Sequence, residues 1–469
     1  MLKQGFRLHS DRSLLWLVAG GFFMLTLDAT VVTTALPAMA RSLGESPLRM
    51  QSVIVAYVMT MALLIPASGW IADRFGTRRV YITAIGLFTF GSLCCGMAQS
   101  SEQLIAARVL QGLGSALMLP VGRLAVIRVF TGNRLLPAIS FVTIPSLIGP
   151  LIGPALGGWL VQIASWQWIF LVNIPVGFIG VLGAWMYMPG RPLSGLGPFD
   201  FVGYALLALG MLCVTLALDG VASFGFGWEI ALTLIMLGSA NLAGYWRHAM
   251  RHRNPLFPPT LFRVASLRIG LWGNFVARLG CSSTPYLLPL YFQVCQGYSP
   301  LNAGLLMLPI AMAGMVVKPL ANRLVTRFGY RNVLINNTLL VSLTIASFAM
   351  GRGPRTLWLQ LPALLFFGAF NSLQLTAMST LTLKDLAPQQ TSSGNSTLTM
   401  VQMLAMGMGV SGAGGLLVLF SHLFASDAEV TLLTFRTTFV CMGAVTFLSA
   451  AIFWRLNNDA LKPSLTRLG

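Results

Sequence analysis

Long apolar runs, nearly free of charged residues, recur from one end of the chain to the other. A run of about 20 apolar residues forms a helix long enough to cross the roughly 30 Å hydrocarbon core of a bilayer. Charged residues make up only 9% of the chain and hydrophobic residues 56%, whereas a soluble domain carries about 25% charged residues. A water-soluble fold could not cover its surface with so few charges. The sequence therefore predicts an all-α integral membrane protein.

Fourteen of these runs qualify as membrane spans. The first is too long, and too closely followed by others, to be a cleaved signal peptide. The predicted spans are residues 14–39, 49–72, 79–98, 102–127, 136–162, 166–189, 201–219, 228–246, 266–291, 300–322, 331–350, 356–380, 393–420 and 434–455.

Basic residues in the connecting loops indicate how the chain is oriented. With fourteen spans the loops alternate between two sides, and the basic residues of one side are few: Arg41, Arg49, Arg352, Arg355 and Arg436. Cytoplasmic loops carry the excess of Lys and Arg. The sequence therefore predicts a multi-pass protein of a bacterial inner membrane with both termini in the cytoplasm. This loop bias accounts for the net charge of +18, and nucleic acid is not an expected partner.

The chain contains an internal repeat. The tripeptide Arg-Phe-Gly follows the second span, beginning at Arg74, and the tenth span, beginning at Arg327, an offset of 327 − 74 = 253 residues. Spans 1–6 and 9–14 are therefore predicted to be two copies of a six-helix unit with the same orientation, an arrangement found in transporters. The predicted domains are residues 1–190 for the first bundle, 191–263 for two inserted helices and a basic loop, and 264–469 for the second bundle and a short tail.

The loop after span 2 combines glycines with charges. Its candidate gating residues are Gly69, Asp73, Arg74, Gly76 and Arg78. The glycines permit a tight turn and close backbone approach, and Asp73 can accept hydrogen bonds from an arginine or a helix N-terminus. We expect a latch that holds one conformation and opens in another. A charged turn that only orients the chain is the alternative.

Two further motifs lie within spans 4 and 5. Span 4 contains Arg108-Val-Leu-Gln111-Gly112-Leu-Gly114, and span 5 combines glycine with proline. Small residues at this spacing let a neighbouring helix approach closely, and proline bends a helix. The candidate gating residues of span 5 are Gly149, Pro150, Gly153, Pro154, Gly157 and Gly158.

These motifs together resemble those of the major facilitator superfamily, in particular its fourteen-span drug:proton antiporter branch, which includes multidrug resistance transporters. The likeness extends over essentially the whole chain. It implies a major facilitator fold of two six-helix bundles plus two extra helices. The second half departs from the pattern, because Thr326 replaces the loop aspartate and Leu361 stands at the position equivalent to Arg108.

The resemblance also implies a function, namely a proton-coupled secondary active antiporter of the multidrug-efflux type that works as a monomer by alternating access. Its partners would be a small-molecule substrate, protons and the lipid bilayer, with no cofactor. The rival class is a membrane enzyme or receptor, but the sequence contains no P-loop, metal cluster or appended soluble domain.

Five ionisable residues remain at membrane depth once the loop charges are set aside: Asp28, Arg108, Arg123, Arg278 and Lys318. Each costs about 2.5–3.5 kcal/mol at the bilayer centre on insertion scales, so each is a candidate functional residue. We assign Asp28 and Arg108 to proton coupling. Substrate binding is assigned to Asp28, Arg278, Arg123 and Lys318. Arg123 and Lys318 lie toward the cytoplasmic ends of their spans, where a long side chain can also reach the interface without such a role.

Asp28 is the one carboxylate well inside a span, and Arg278 lies at similar depth in the equivalent span of the second repeat. A substrate that competes for a neighbouring arginine would change how tightly the carboxylate holds a proton. A purely structural Asp28–Arg278 pair is the alternative. Because four of the five charges are basic, an exporter of small anions, such as di- or tricarboxylates or their metal chelates, is the alternative function.

His248 and His252 are spaced i, i+4 in a basic loop. This spacing could hold a metal ion, but no carboxylate or thiol is close in sequence, so we expect a solvated helix and no metal site. The six cysteines show no paired framework or metal spacing and are interpreted as packing residues.

Overall fold

The computed structural model describes residues 2–190, 197–351, 357–387, 390–424 and 428–456, and within these ranges it forms helices and no strand. The predicted all-α fold is thereby confirmed. The helices are α1 (Leu2–Leu43), α2 (Gln51–Phe75), α3 (Thr77–Met97), α4 (Ser101–Val129), α5 (Leu135–Ile163), α6 (Trp168–Leu171), α7 (Asn173–Tyr187), α8 (Phe201–Ser223), α9 (Trp228–Arg251), α10 (Ala265–Cys281), α11 (Thr284–Val294), α12 (Pro300–Leu305), α13 (Leu308–Val317), α14 (Leu320–Ser347), α15 (Leu357–Leu383), α16 (Thr391–Leu423) and α17 (Ala428–Trp454).

Helices occupy all fourteen predicted span positions. Twelve stretches of the described chain are long and apolar enough to cross a membrane. The eighth and ninth predicted spans are outside that set. α9 is long enough at 24 residues but is not among the stretches that also meet the hydropathy criterion. The ninth span is divided into α10 and α11 at Ser282 and Ser283.

The outer faces of the helices carry large apolar side chains. Phe178, Ile179 and Trp185 on α7 are each more than 60% exposed, at 65%, 68% and 63%. Contiguous apolar surface of this kind is rare on a soluble monomer. A hydrocarbon environment accounts for it, which agrees with the predicted membrane protein.

Two glycines turn the chain at equivalent places. Gly76 separates α2 from α3 with φ +86° and ψ +141°. Gly329 kinks α14 with φ +77° and ψ +157°, and 329 − 76 is again 253 residues. A side chain is disfavoured at such positive φ values, so glycine is required at both turns. The sequence repeat therefore has a counterpart in the backbone.

The chain forms two compact units. The first comprises Met1–Leu256 and Leu288–Leu308, and the second comprises Phe257–Leu287 and Pro309–Gly469. Within the first unit α1 packs on α5, α4 packs on α2 and α3, and the inserted helix α8 packs on α2 and α9. Within the second, α10 packs on α15, α16 and α17. The domain boundaries proposed from the sequence stay predictions, and residue 191, Arg352 and Arg355 lie outside the described residues.

Candidate functional site

An ion pair lies inside the first unit. Asp28 Oδ2 on α1 is 2.8 Å from Arg108 Nη1 on α4. Each of the two residues is only 1% exposed. Removing one partner of a buried pair leaves an uncompensated charge and is strongly destabilising. The arginine paired with Asp28 is thus Arg108, from the same half of the molecule, and not Arg278.

Two amide side chains complete the coordination of the carboxylate. Gln111 Nε2 donates to Asp28 Oδ1 over 2.8 Å, and Asn173 Nδ2 donates to the same oxygen over 3.1 Å. Gln111 also accepts from Arg108 Nη1 over 2.6 Å and donates to Ser92 over 2.7 Å. The carboxylate thus accepts hydrogen bonds from three side chains, those of Arg108, Gln111 and Asn173.

Arg108 has further contacts that fix its position. Its Nε donates to the carbonyl oxygen of Val53 over 3.2 Å. Its guanidinium carbon lies 4.0 Å from the centre of the Tyr57 ring and 5.8 Å from that of Phe170. Stacking on an aromatic face compensates part of the lost hydration of a cation. The network therefore joins α1, α2, α3, α4, α6 and α7 at one point.

The sequence assigned Asp28 and Arg108 to this site but not Gln111, Asn173 or Ser92. Gln111 and Asn173 are polar residues inside apolar runs, and an unpaired amide at that depth is expensive. That cost is the signal that could have identified them. The hydroxyl of Ser92 gives no comparable signal, since it could equally bond its own helix backbone.

The glycine face of α5 packs directly on the turn of α1 that carries Asp28. A Cβ at Gly149 would lie 2.3 Å from Thr26 Oγ1, and one at Gly153 would lie 2.1 Å from Thr30 Oγ1. Thr34 Oγ1 donates to the carbonyl of Pro154 over 3.1 Å. The close approach predicted for this motif is present, while its gating role stays a prediction.

The opposite face of α5 is equally tight. A Cβ at Gly158 would lie 2.1 Å from the carbonyl oxygen of Pro300 on α12, and a Cβ at Gly304 would lie 2.2 Å from that of Pro154. α5 is therefore packed closely against both α1 and α12. A rotation of α5 would have to move both neighbours.

The charged loop after α2 also has a partner in α4. Asp73 forms an ion pair with Arg128, whose side chain is 22% exposed. Thr77 Oγ1 donates to the carbonyl of Pro189 over 2.5 Å, and the guanidinium of Arg78 contacts the carbonyl of Trp185. The loop is thus bound to the ends of α4 and α7.

Two members of the predicted latch, Gly69 and Arg74, lie at the surface, and their gating role stays a prediction. Gly69 is exposed, and a Cβ there would meet nothing within 4 Å, so no close backbone approach occurs at that position. Arg74 is exposed. In the second unit Thr326, the equivalent of Asp73, donates to Asn322 and Arg323 of its own helix. No acid replaces Asp73 there, as the sequence indicated.

The remaining basic candidates are spread over both units. Arg123 and Arg278 are half-buried, and Lys318 is exposed at the turn between α13 and α14. Within the described part of the chain none of the three forms an ion pair. Arg278 Nε is buried and has no hydrogen-bond partner among the described residues.

Comparison with known sequences shows which family has this architecture. The family model described as Major Facilitator Superfamily matches residues 18–410. Three curated relatives bear the name "Putative multidrug resistance protein MdtD". The protein from Serratia proteamaculans is 48% identical over 95% of this chain and 93% of the relative. Those from Pectobacterium atrosepticum and Yersinia enterocolitica are 46% and 47% identical over at least 96% of each chain.

Solved structures share the fold at low sequence identity. A POT family transporter in complex with 5-aminolevulinic acid has a TM-score of 0.69, with 14% identity and 97% of both chains covered. The POT family transporter PepTSo has a TM-score of 0.68, with 14% identity over 95% of this chain and 99% of that one. At such identities the likeness establishes the fold alone.

Proposed function

Because the chain belongs to the Major Facilitator Superfamily, it is a multi-pass membrane transporter and not an enzyme, and we propose that it exports small molecules in exchange for protons. The names of its relatives support multidrug efflux. The glycine–proline face of α5 supports antiport, and the loop charges support cytoplasmic termini in a bacterial inner membrane. The protein is proposed to act as a monomer.

One observation carries the coupling proposal: Asp28 is buried in an ion pair whose other ligands are neutral amides. A proton that reaches Asp28 removes the negative charge, so Arg108 loses its partner while it remains a cation. An unpaired guanidinium at that depth costs several kcal/mol. The first unit must then rearrange, or an anionic or polar group must replace the carboxylate beside Arg108.

The path from this pair to a conformational change runs through α1 and α5. Thr26 and Thr30, on either side of Asp28 in α1, lie against Gly149 and Gly153. Because the two threonine side chains and the backbone of Leu27 already fill the space beside these glycines, a shift of α1 cannot be absorbed by rotamer changes on α5. α5 would move with it, and the Asp73–Arg128 latch would open in the alternate state.

The proposal can be tested in everted vesicles with an acidic interior, assaying cationic drugs and small carboxylates. The double variant Asp28→Asn, Arg108→Gln removes both charges together and avoids a stranded cation. We expect it to lose gradient-driven uptake at wild-type expression. Asp11→Asn, the same change on α1 nearer its N-terminus, should leave uptake intact. Full uptake by the double variant would exclude Asp28 from coupling, and no uptake of any solute by the wild type would overturn efflux.

Export of small anions is the second candidate. The observation that favours it is that Arg123, Arg278 and Lys318 form no ion pair among the described residues. Within the same residues the buried Nε of Arg278 has no hydrogen-bond partner. A guanidinium binds a carboxylate through two parallel hydrogen bonds. Arg278→Ala should abolish carboxylate uptake, Arg278→Lys should restore only part of it because the bidentate geometry is lost, and both should retain uptake of neutral drugs. Normal carboxylate uptake by Arg278→Ala would count against anion export and leave multidrug efflux as the remaining proposal.

A further inference from the structure

Three residues of types that commonly bind transition metals lie together at the base of the α8–α9 hairpin. Asp200 precedes α8, His248 lies in the last turn of α9, and His252 follows it. One ligand atom from each lies within 4.8 Å of the others. No carboxylate is close to the histidines in sequence, but the fold brings one to them from 48 residues away.

The geometry within the cluster is well defined. His248 Nε2 lies 2.7 Å from Asp200 Oδ1, and the two imidazole rings stack with centroids 4.9 Å apart. Asp200 is 6% exposed and accepts from the backbone N–H groups of Gly203, over 2.9 Å, and Leu256, over 3.3 Å. These bonds hold the carboxylate in place, while the side chain of His252 is exposed.

The three donor groups suit a metal ion of intermediate softness, such as Zn²⁺. Two imidazoles and one carboxylate, with a fourth position left for water, match the ligands that bind zinc. Zinc ligands at about 2.1 Å lie about 3.4 Å from one another in a tetrahedral site. The three ligand atoms already lie within 4.8 Å of one another, so small side-chain shifts would bring them to that spacing. His248 would exchange its hydrogen bond to Asp200 for the metal. His252 Nδ1 accepts from the N–H of Asn254 over 3.3 Å, which leaves Nε2 for the ion.

The surrounding charges weaken but do not prevent such binding. Arg247, Arg251 and Arg253 are close in sequence and exposed. Solvent and salt screen an exposed charge, with a screening length of about 8 Å at physiological ionic strength. Two imidazoles four residues apart on a helix are a recurring metal-binding pair because they project from the same face.

We propose that Asp200, His248 and His252 form a binding site for a divalent transition metal ion, with Zn²⁺ as the best match. The ion would join the start of α8 to the end of α9. It would thereby hold together the hairpin inserted between the two six-helix bundles.

The test uses the full-length protein in detergent with any affinity tag removed. Isothermal titration with ZnCl₂, and with CoCl₂ followed by visible absorption of tetrahedral Co²⁺, should show one site. His252→Ala and His248→Ala should each weaken Zn²⁺ binding more than about tenfold, since losing even an outer-sphere partner costs 10–100-fold. Asp200→Asn preserves the helix cap and should weaken binding similarly.

The chain provides a matched control. His422, at the end of α16, belongs to no cluster of this kind in the described structure, and His422→Ala should bind Zn²⁺ as the wild type does. His252 is exposed, so His252→Ala should fold normally, which unchanged gel filtration and transport would verify. No tetrahedral Co²⁺ band, or equal Zn²⁺ affinity in His252→Ala and wild type, would overturn the proposal and leave Asp200–His248 as a hydrogen-bonded clasp only.

Discussion

The two units have polar interiors of opposite kinds. The first encloses the Asp28–Arg108 ion pair, whereas the second encloses amides and hydroxyls. Asn337 Nδ2 donates to Gln374 Oε1 over 2.7 Å, and Gln374 Nε2 donates to Thr338 over 2.8 Å. Both networks are buried. A neutral network holds helices together without a group that changes charge near pH 7.

The repeat relation sharpens this contrast. Adding 253 takes Arg108 to Leu361 and Gln111 to Leu364, which is fully buried. Asp28 maps to Cys281. The second unit therefore forms the equivalent helices without charges at these positions. The ion pair is not a requirement of the fold, which favours a functional role for it in the first unit.

The largest expected effect is that of Asp28→Asn. It leaves a buried arginine that cannot lose its proton, so the free energy of unfolding should fall by about 3–5 kcal/mol. Unfolding in mixed micelles titrated with SDS measures this. Arg108→Gln should cost less, because a stranded carboxyl group can take up a proton. Equal losses would mean that the pair is more hydrated than its burial indicates.

Gly153→Ala should have the next largest effect. Its Cβ would lie 2.1 Å from Thr30 Oγ1, and overpacking costs about 1–3 kcal/mol. We expect gradient-driven transport to fall further than stability, because α1 and α5 are forced apart. Gly407→Ala on α16 is the matched change in the second unit, where a Cβ meets nothing within 4 Å. Similar transport by the two variants would contradict a special role for α5.

Thr338→Val tests the neutral network. It removes one acceptor from Gln374, so unfolding should become easier by about 0.5–1.5 kcal/mol. The pH dependence of transport should not change, since no titrating group is involved. A shifted pH profile, measured as initial rate against internal pH, would show that the second unit takes part in coupling.

Asp73→Asn should have the smallest effect on stability, about 0.2–1 kcal/mol, because its pair with Arg128 is partly exposed. Its effect on the populations of the open and closed conformations should be more pronounced than its effect on stability. Spin-label distances across the cytoplasmic ends should show a greater open population, with Thr326→Val in the second unit as the control. Unchanged populations in Asp73→Asn would favour a charged turn that only orients the chain.

Much of the fold was predictable from the sequence, because apolar run length and loop charges both report membrane position directly. The ion-pair partner was harder. Depth and repeat symmetry singled out Arg278, yet helix rotation decides which side chains meet, and Arg108 faces Asp28 from within the same bundle. Asp200 was missed near the histidines for a similar reason, since 48 residues separate it from His248 and only the hairpin brings them together.

A single acid at mid-depth has a consequence for energetics. If Asp28 couples transport as proposed, its one carboxylate would carry one proton per cycle, and the export of a neutral solute would move one net positive charge inward. The membrane potential would then contribute about 2.3 kcal/mol per 100 mV in addition to the pH difference. A monovalent cation leaving in exchange would cancel that charge, and only the pH difference would drive it. The valence of the solute therefore determines whether a potassium diffusion potential accelerates transport.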